Sequence, residues 1–419
     1  MRLLVYGINY LPELTGIGKY TGEMCEWLVS QGHEVEVITT VPYYPEWSVH
    51  PAYKNKLWHT ENRNGVLIHR TPFYVPQQVT GKTRILHELS FGISSLLHWV
   101  KIFARKKFDL VLAIYPPLPI GLYPVMYRWI RKVPMVFHIQ DLQVDAARDL
   151  NIIKNQRLLD QLERVEKFYC KQADWVTTIS EGMREKISEK GIPEQKIGMF
   201  PNWVNTDLMA PMPNKKAALK QNWGYQPDQK VVLYSGNMGE KQGLEVVLDT
   251  AEMMGPTVQF RMVGQGGIRN RLEAIAQKRN LQNVQFSDLV PLEELPELLN
   301  MADFHLVLQK KGATDLVMPS KLTGILSVGG VPIVTAEKNS SLRTLIEQEQ
   351  IGLTADPEDA QALFHLLQRH LFDDLSPYQK RSRAYAIQEL GQDAILSAFV
   401  AELEELIRDK AANVSYASY

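Results

Sequence analysis

The chain has 419 residues, with 46 Lys and Arg against 47 Asp and Glu, 45% hydrophobic residues, 26 Gly and 23 Pro. This composition buries a large core without staples, excludes disordered and fibrous classes, and at this length predicts two domains of ordinary size. Two cysteines, Cys25 and Cys170, exclude a disulfide framework, fit a reducing compartment and read as small core residues.

The first ten residues turn polar after position seven, too short for the apolar core of a signal peptide. Short β-branched runs then alternate with longer amphipathic runs, the pattern of parallel strands joined by helices. In the first half the expected strands are Arg2–Tyr6, Glu34–Thr39, Val66–Arg70, Leu110–Ile114, Met135–His138, Trp175–Ile179 and Ile197–Phe200. In the second half they are Lys230–Tyr234, Thr257–Val263, Val284–Phe286, Phe304–Leu308 and Val331–Val334. Expected helices include Thr21–Gln31, Leu158–Gln172, Glu181–Glu189, Glu294–Ala302 and Lys321–Ser327. Two such series imply an α/β protein of two Rossmann-like, doubly wound parallel-sheet domains facing across a cleft. The boundaries read 1–205, 206–375 and a C-terminal helical segment 376–419 crossing back to the first domain, with a frayed tail. The apolar stretch Leu110–Ile130 is long enough for a membrane span, but Pro116, Pro117, Pro119 and Pro124 break it into strand, loop and helix.

In the first loop, Thr15-Gly16-Ile17-Gly18 precedes a helix starting near Lys19 or Thr21, which can aim backbone amides at an anion. It fails as a dinucleotide fingerprint: it lies nine residues beyond the first strand, and the second strand ends in Thr39-Thr40 with no acid for a ribose hydroxyl. His138 ends a buried strand and is followed by Gln140, Asp141 and Asp145 on the expected cleft side. In the second half three loops follow strands in the same sense: Gly236 to Gly243 with Lys241, Gly264-Gln265-Gly266-Gly267, and Lys310-Lys311-Gly312 leading to Pro319-Ser320-Lys321. Ligands of open α/β sheets bind beyond the carboxyl ends of the strands. Glycines, lysines and a hydroxyl converging there suggest a diphosphate.

Charge is uneven. Residues 50–132 hold 13 Lys and Arg against Glu61, Glu88 and Asp109 alone, a local charge of +10. Lys101, Arg105, Lys106, Lys107, Arg128, Arg131 and Lys132 form a candidate patch for an anionic membrane surface, beside a stripe of Leu86, Leu89, Ile93, Leu97 and Val100 at helical spacing. Exposure of Trp99 or Phe103 would add apolar insertion. No nucleic-acid partner is expected. The chain carries no Asp-x-Asp pair, His-Glu-x-x-His, Cys-x-x-Cys or complete phosphate loop, so neither a metal site nor a nucleoside triphosphatase is indicated.

The ordered series TGIGKYT, GHEVEVIT, VFHIQD, ADWVTTIS, FPNWVNTD, LYSGNMGEKQGLE, MVGQGG, FSDLVPLEELPELLNMAD and MPSKL to VGGVPIV resembles the family 4 retaining glycosyltransferases of the GT-B fold. The similarity spans roughly residues 1–400 and is greatest to the subgroup that builds colanic acid and related bacterial exopolysaccharides. It implies a hexosyl-type transfer with retention and without metal or other cofactor. The donor, a nucleotide sugar, would sit in the C-terminal domain, and a lipid-linked or oligosaccharide acceptor on the N-terminal one, at the inner face of the plasma membrane. It further implies that His138, with Asp141, faces the sugar near the reacting centre. Gly16, Gly236, Asn237, Lys241, Gly264, Gly266, Leu289, Ser320 and Lys321 would surround the donor.

Four positions, in three departures, differ from the family pattern. Asn237 stands for the usual Arg, Gln242 for the usual Lys with Lys241 one place earlier, and Leu316 and Gly324 for the paired glutamates, so ribose binding must use another group, for example Asp315. These departures keep a non-catalytic nucleotide-sugar-binding subunit open as an alternative. A nucleotide-sugar epimerase is opposed by the missing nicotinamide fingerprint.

Overall fold

The structure, a computed structural model, describes residues 1–13, 16–149, 155–312 and 320–416. It divides into two units, Met1–Pro201 with Leu396–Tyr419, and Asn202–Ile395. The first boundary falls at Pro201 rather than 205, and the segment 376–395 belongs to the second unit, so only the end of the C-terminal segment returns to the first.

In the first unit the elements run β1 (Arg2–Tyr6), α1 (Gly16–Ser30), β2 (Glu34–Thr40), β3 (His59–Arg63), β4 (Val66–Thr71), α2 (Gly81–Phe103), β5 (Leu110–Tyr115), α3 (Leu122–Arg131), β6 (Met135–Ile139), α4 (Gln143–Asp149), α5 (Gln156–Gln172), β7 (Trp175–Thr178), α6 (Glu181–Glu189) and β8 (Ile197–Met199). The sheet order is β3-β4-β2-β1-β5-β6-β7-β8, parallel except for the edge pair of β3 with β4. Every residue of β5 and β6 is buried, because helices cover both faces of a parallel sheet and leave its central strands apolar along their whole length.

In the second unit they run α7 (Lys216–Asn222), β9 (Lys230–Ser235), α8 (Glu245–Met254), β10 (Val258–Val263), α9 (Arg269–Lys278), β11 (Val284–Ser287), α10 (Leu295–Met301), β12 (Phe304–Val307), α11 (Ser320–Ser327), β13 (Pro332–Thr335), α12 (Ser341–Glu349), β14 (Leu353–Ala355), α13 (Ala360–His370) and α14 (Ser376–Glu389), and α15 (Gln392–Tyr416) starts there and continues into the first unit from Leu396. The sheet is wholly parallel in the order β11-β10-β9-β12-β13-β14, so the order in which strands are added reverses between β9 and β12. One apolar cluster centres on Val231, Leu233 and Leu322, the other on Val232, Tyr234 and Phe260. Alternate residues of β9 feed the two, as the two-residue period of a strand requires. From α15, Phe399 stacks on Phe200 at 3.7 Å and Lys410 reaches Asp174 at 2.7 Å, which ties the end of the chain to the first unit.

Two strands escaped the sequence reading. β3 is the polar segment His59-Thr60-Glu61-Asn62-Arg63, and β14 has three residues. Elsewhere the strands differ from expectation by a residue or two at an end.

Candidate functional site

In the second unit the loops after β9 and β10 are interlocked. Gly236 N–H donates to Val263 O (2.9 Å), Met238 N–H to Gln265 O (2.8 Å) and Ile268 N–H to Met238 O (3.2 Å). A side chain on Gly264, at φ 154°, would overlap the Gly236 carbonyl, so the close approach of the two backbones demands glycine there. A Cβ on Gly266 would likewise stand 2.3 Å from the Met238 carbonyl oxygen. The result is a rigid shelf of main chain at the carboxyl ends of β9 and β10, beside the point where the strand order reverses.

Lys321, in the first turn of α11, ends over this shelf. Its Nζ lies 3.8 Å from the Tyr234 ring centroid, and a Cβ on Gly236 would stand 3.1 Å from it. The ammonium is buried without a hydrogen-bond partner among the described residues. Burial pulls its pKa down from the usual lysine value to about 7. A buried cation at a helix start, facing a glycine shelf and without a partner among the described residues, is suited to an anionic ligand. Ser320 opens the same helix and is exposed.

The other predicted residues have varied surroundings. The Lys241 side chain is exposed, while its carbonyl accepts from Lys310 N–H at 2.9 Å. Gln242 turns inward, its Oε1 accepting from Gly239 N–H at 3.0 Å, so it caps its own loop. Asn237 O accepts from the Tyr234 hydroxyl at 2.5 Å. Leu289 is 51% exposed beyond β11. Asp315 lies outside the described residues.

In the first unit His138 is 1% exposed. Its Nδ1 is 2.9 Å from Thr177 Oγ1 and its Nε2 is 2.8 Å from the Gln140 amide nitrogen. An amide NH2 only donates, so Nε2 accepts and the ring proton sits on Nδ1, donated to Thr177. Burial lowers the imidazole pKa to about 3, and the ring is neutral at physiological pH. Asp141 follows in the same loop and is half-buried. Gly16 opens α1, exposed, with φ 58°.

Sequence reasoning missed Glu13. Its carboxylate accepts from Asn9 Nδ2 (2.8 Å), Tyr43 N–H (3.0 Å) and Tyr44 N–H (3.1 Å), and burial raises its pKa. It pins the loop after β2 to the loop after β1. A Cβ on Gly18 would meet its Oε2 at 2.8 Å. The signal for Glu13 was only an acid set among apolar residues close to the Gly16 loop.

The basic patch is smaller than expected. Arg128 makes a two-pronged contact with Asp174 (2.6 and 2.8 Å), and Arg131 donates to the carbonyls of Phe103 and Arg105, so both are committed within the fold. Arg105 is 3.4 Å from Glu36. Lys101, Lys106, Lys107 and Lys132 are exposed. Trp99 is fully buried, packed on Tyr123 and Tyr6, and adds nothing to an insertion surface. The stripe itself faces outward: Leu86, Leu89, Ile93, Leu97 and Val100 are 44–74% exposed. Trp129 and Ile130 of α3 and Phe168 of α5 are exposed as well, and the Trp129 and Phe168 rings meet edge-on at 6.4 Å. No helix among the described residues is long and apolar enough to cross a membrane. Among the same residues no cluster of His, Cys, Asp and Glu could hold a metal ion.

Residues 15–203 match the glycosyl transferase 4-like domain, and residues 215–389 match the glycosyl transferases group 1 family. The chain is 39% identical to the putative colanic acid biosynthesis glycosyl transferase WcaI of Escherichia coli strain K12, over 96% of this chain and all of that one. Among solved structures, a sucrose-phosphate synthase from Thermosynechococcus elongatus superposes with a TM-score of 0.75 at 18% identity, covering 97% of this chain and 99% of that one. Anabaena HepE in complex with UDP gives 0.73 at 14% identity, covering 97% and 100%. These likenesses meet the two parallel sheets and their glycine-lined loops in one conclusion: the chain belongs to the group 1 glycosyl transferases and is a glycosyltransferase of the GT-B fold.

Proposed function

We propose that the protein transfers a hexosyl group, with retention and without a metal, from a nucleotide sugar held in the second unit to a lipid-linked saccharide at an anionic membrane surface, in the assembly of a colanic acid-like exopolysaccharide. The observation that carries the donor reading is Lys321, a buried ammonium over the glycine shelf with no hydrogen-bond partner among the described residues. It takes the place of the Arg and Lys that this chain has exchanged for Asn237 and an inward-turned Gln242. Breaking the glycosidic bond to a nucleoside diphosphate develops negative charge on the leaving phosphate. A fixed cation and oriented backbone amides lower the energy of that charge more than that of the ground state. HepE, of the same fold, is described in complex with UDP. The polysaccharide assignment leans on the WcaI relationship across nearly the whole chain. Asp315 is kept as the ribose partner on its position in the sequence alone.

His138 is proposed to face the transferred sugar as a neutral group. The reading of nucleotide-sugar transfer is tested by nucleoside diphosphate release from a panel of sugar donors in the presence of a chelator.

Membrane attachment is supported by the outward apolar ridge of α2 and by the exposed Trp129, Ile130 and Phe168 on α3 and α5, with the exposed Lys101, Lys106 and Lys107 at the end of α2 and Lys132 at the end of α3. Each such cation near an anionic leaflet contributes about 1 kcal/mol, and the ridge adds apolar insertion. Vesicle co-sedimentation is expected to require anionic lipid, to weaken as salt rises, and to fall on changing Lys101, Lys106 and Lys107 to Glu or Ile93 to Asp. Equal recovery in the supernatant with neutral and anionic vesicles at low salt would remove the membrane from the account.

A further inference from the structure

The connection between β2 and β3 ends in Lys54-Asn55-Lys56-Leu57-Trp58, and no acidic residue lies between Glu46 and Glu61. Leu57 is 64% exposed and Trp58 42%. Single apolar residues at a protein surface are ordinary. Three observations set this pair apart, and the first is rigidity. Pro51–Tyr53 forms one turn of 3-10 helix, in which Tyr53 N–H donates to His50 O (2.8 Å), Lys54 N–H to Pro51 O (3.3 Å) and Lys56 N–H to Tyr53 O (3.1 Å). The Tyr53 hydroxyl donates to Glu61 Oε1 at 3.1 Å, and its ring centroid lies 5.0 Å from the buried Arg70 guanidinium. Asn55 takes the left-handed conformation at φ 69°, which asparagine tolerates. An ordered loop therefore holds Leu57 and Trp58 outward, which lowers the entropy lost when they bind.

The second observation is polar. Trp58 Nε1–H donates to the Ser94 carbonyl of α2 at 2.8 Å. The only donor of the indole is thus satisfied inside the fold, and moving the ring into hydrocarbon strands no polar group. The third is placement. On α2 the Tyr123 hydroxyl of α3 donates to Gly92 O at 3.0 Å. At about 100° per residue, Gly92 and Ser94 lie about 200° apart around the helix. The exposed Leu86, Leu89, Ile93, Leu96, Leu97 and Val100 all fall in the arc between them, so the loop and α3 border the α2 ridge on opposite flanks. α3 exposes Trp129 and Ile130 there as well. An apolar face built from three elements is larger than a soluble monomer ordinarily leaves open. Its rim on this flank is basic, with Lys54 and Lys56 both exposed, and that charge matches an anionic leaflet.

We propose that residues 54–58 are a membrane anchor: Leu57 and the Trp58 ring enter the boundary between headgroups and acyl chains of an anionic leaflet, and Lys54 and Lys56 meet its phosphates. The anchor rests on the membrane reading above and adds to it an element apart from α2, α3 and α5. It lays α2 lengthwise in the interface, gripped from both flanks.

The test mixes the full chain with vesicles of phosphatidylcholine and phosphatidylglycerol brominated high on the acyl chains, and reads tryptophan fluorescence. Of the eight tryptophans, Trp58 and Trp129 are the exposed ones. Trp129→Phe is expected to keep part of the native quenching, and Trp58→Phe/Trp129→Phe to lose it. Lys54→Glu/Lys56→Glu, at exposed positions, should keep the native melting temperature while its partition onto the vesicles falls at least about thirtyfold, the scale of two headgroup cations. Equal quenching of the Trp129→Phe protein and the double Phe variant, or native partition of the double Glu variant, would overturn the anchor. Self-association of the native chain without lipid, lost in Leu57→Asp, would give the loop to a second copy and overturn it too. Failure of the membrane reading looks different: the native chain would not bind anionic vesicles at low salt, and the anchor would fall with it.

Discussion

Replacing Lys321 with Met should abolish most donor binding while making the ligand-free protein more heat-stable. In the folded, empty protein burial holds the Lys321 pKa at about 7, below that of an unfolded lysine, so the unfolded chain binds more protons in the interval between the two values. Burying the ammonium therefore costs stability, in full below the folded pKa, and the cost fades as pH rises toward the unfolded one. Lys321→Met removes that cost, so its melting temperature should exceed the native one at pH 7 and approach it near pH 10. Binding goes the other way. A charge-assisted contact to phosphate is worth about 1.5–3 kcal/mol, so the dissociation constant for nucleoside diphosphate should rise roughly ten- to a hundredfold, with turnover falling about a hundredfold or more. The native protein should take up a proton on binding above pH 7, and its affinity should fall as pH rises there. Titration calorimetry in buffers of different ionisation enthalpy checks this. Native-like affinity in the variant, or pH-independent affinity from pH 7 to 9, would displace Lys321 from the phosphate site.

His138→Ala should act on turnover and leave donor affinity alone. The side chain belongs to the first unit and the glycine shelf with Lys321 to the second, so nucleoside diphosphate should bind the variant within about threefold of native. Loss of a positioned polar group at a reacting centre costs about 10²–10³ in kcat. Because burial holds the ring neutral, with a pKa of about 3, the native kcat profile should show no group titrating between pH 5 and 8 that disappears in the variant. A matched loss of affinity would make His138 a binding residue. A lost ionisation near pH 6.5 would mean that its protonated form takes part.

Much of the fold was legible because central strands of a parallel sheet are buried on both faces. Runs such as Leu110-Val111-Leu112-Ala113-Ile114 announce themselves without help from any partner. β3 was hidden for the opposite reason: an edge strand needs only one neighbour and can be polar, and His59–Arg63 is held by its pairing with β4. α2 is more instructive. Its more apolar face is exposed, while its buried face carries His87, Ser95 and His98 along with Phe91, Trp99 and Ile102. The buried polar groups find partners far away in sequence, Ser95 with Tyr6 and His98 with the Arg70 carbonyl. Periodicity located the helix and its stripe, but which face meets the sheet depended on those distant partners. The commitment of Arg128 to Asp174, 46 positions away, was invisible for the same reason.

Glycine spacing and lysine type singled out the loops after β9 and β10, which are interlocked in the structure, and the start of α11. Sequence could not show that Gln242 folds back on Gly239 while Lys321 has no hydrogen-bond partner among the described residues. That contrast is a matter of side-chain direction. Glu13 was missed because its partners come from the loops after β1 and β2, which the sequence does not bring together.

The central claim is metal-free transfer with retention from a nucleotide sugar, and proton NMR of the anomeric signals in a reaction containing EDTA tests it directly. The account predicts that at least one nucleotide sugar is cleaved to nucleoside diphosphate and that the first-formed product carries the anomeric configuration of the donor. Appearance of the opposite anomer first, or turnover only after magnesium or manganese is restored, would contradict it.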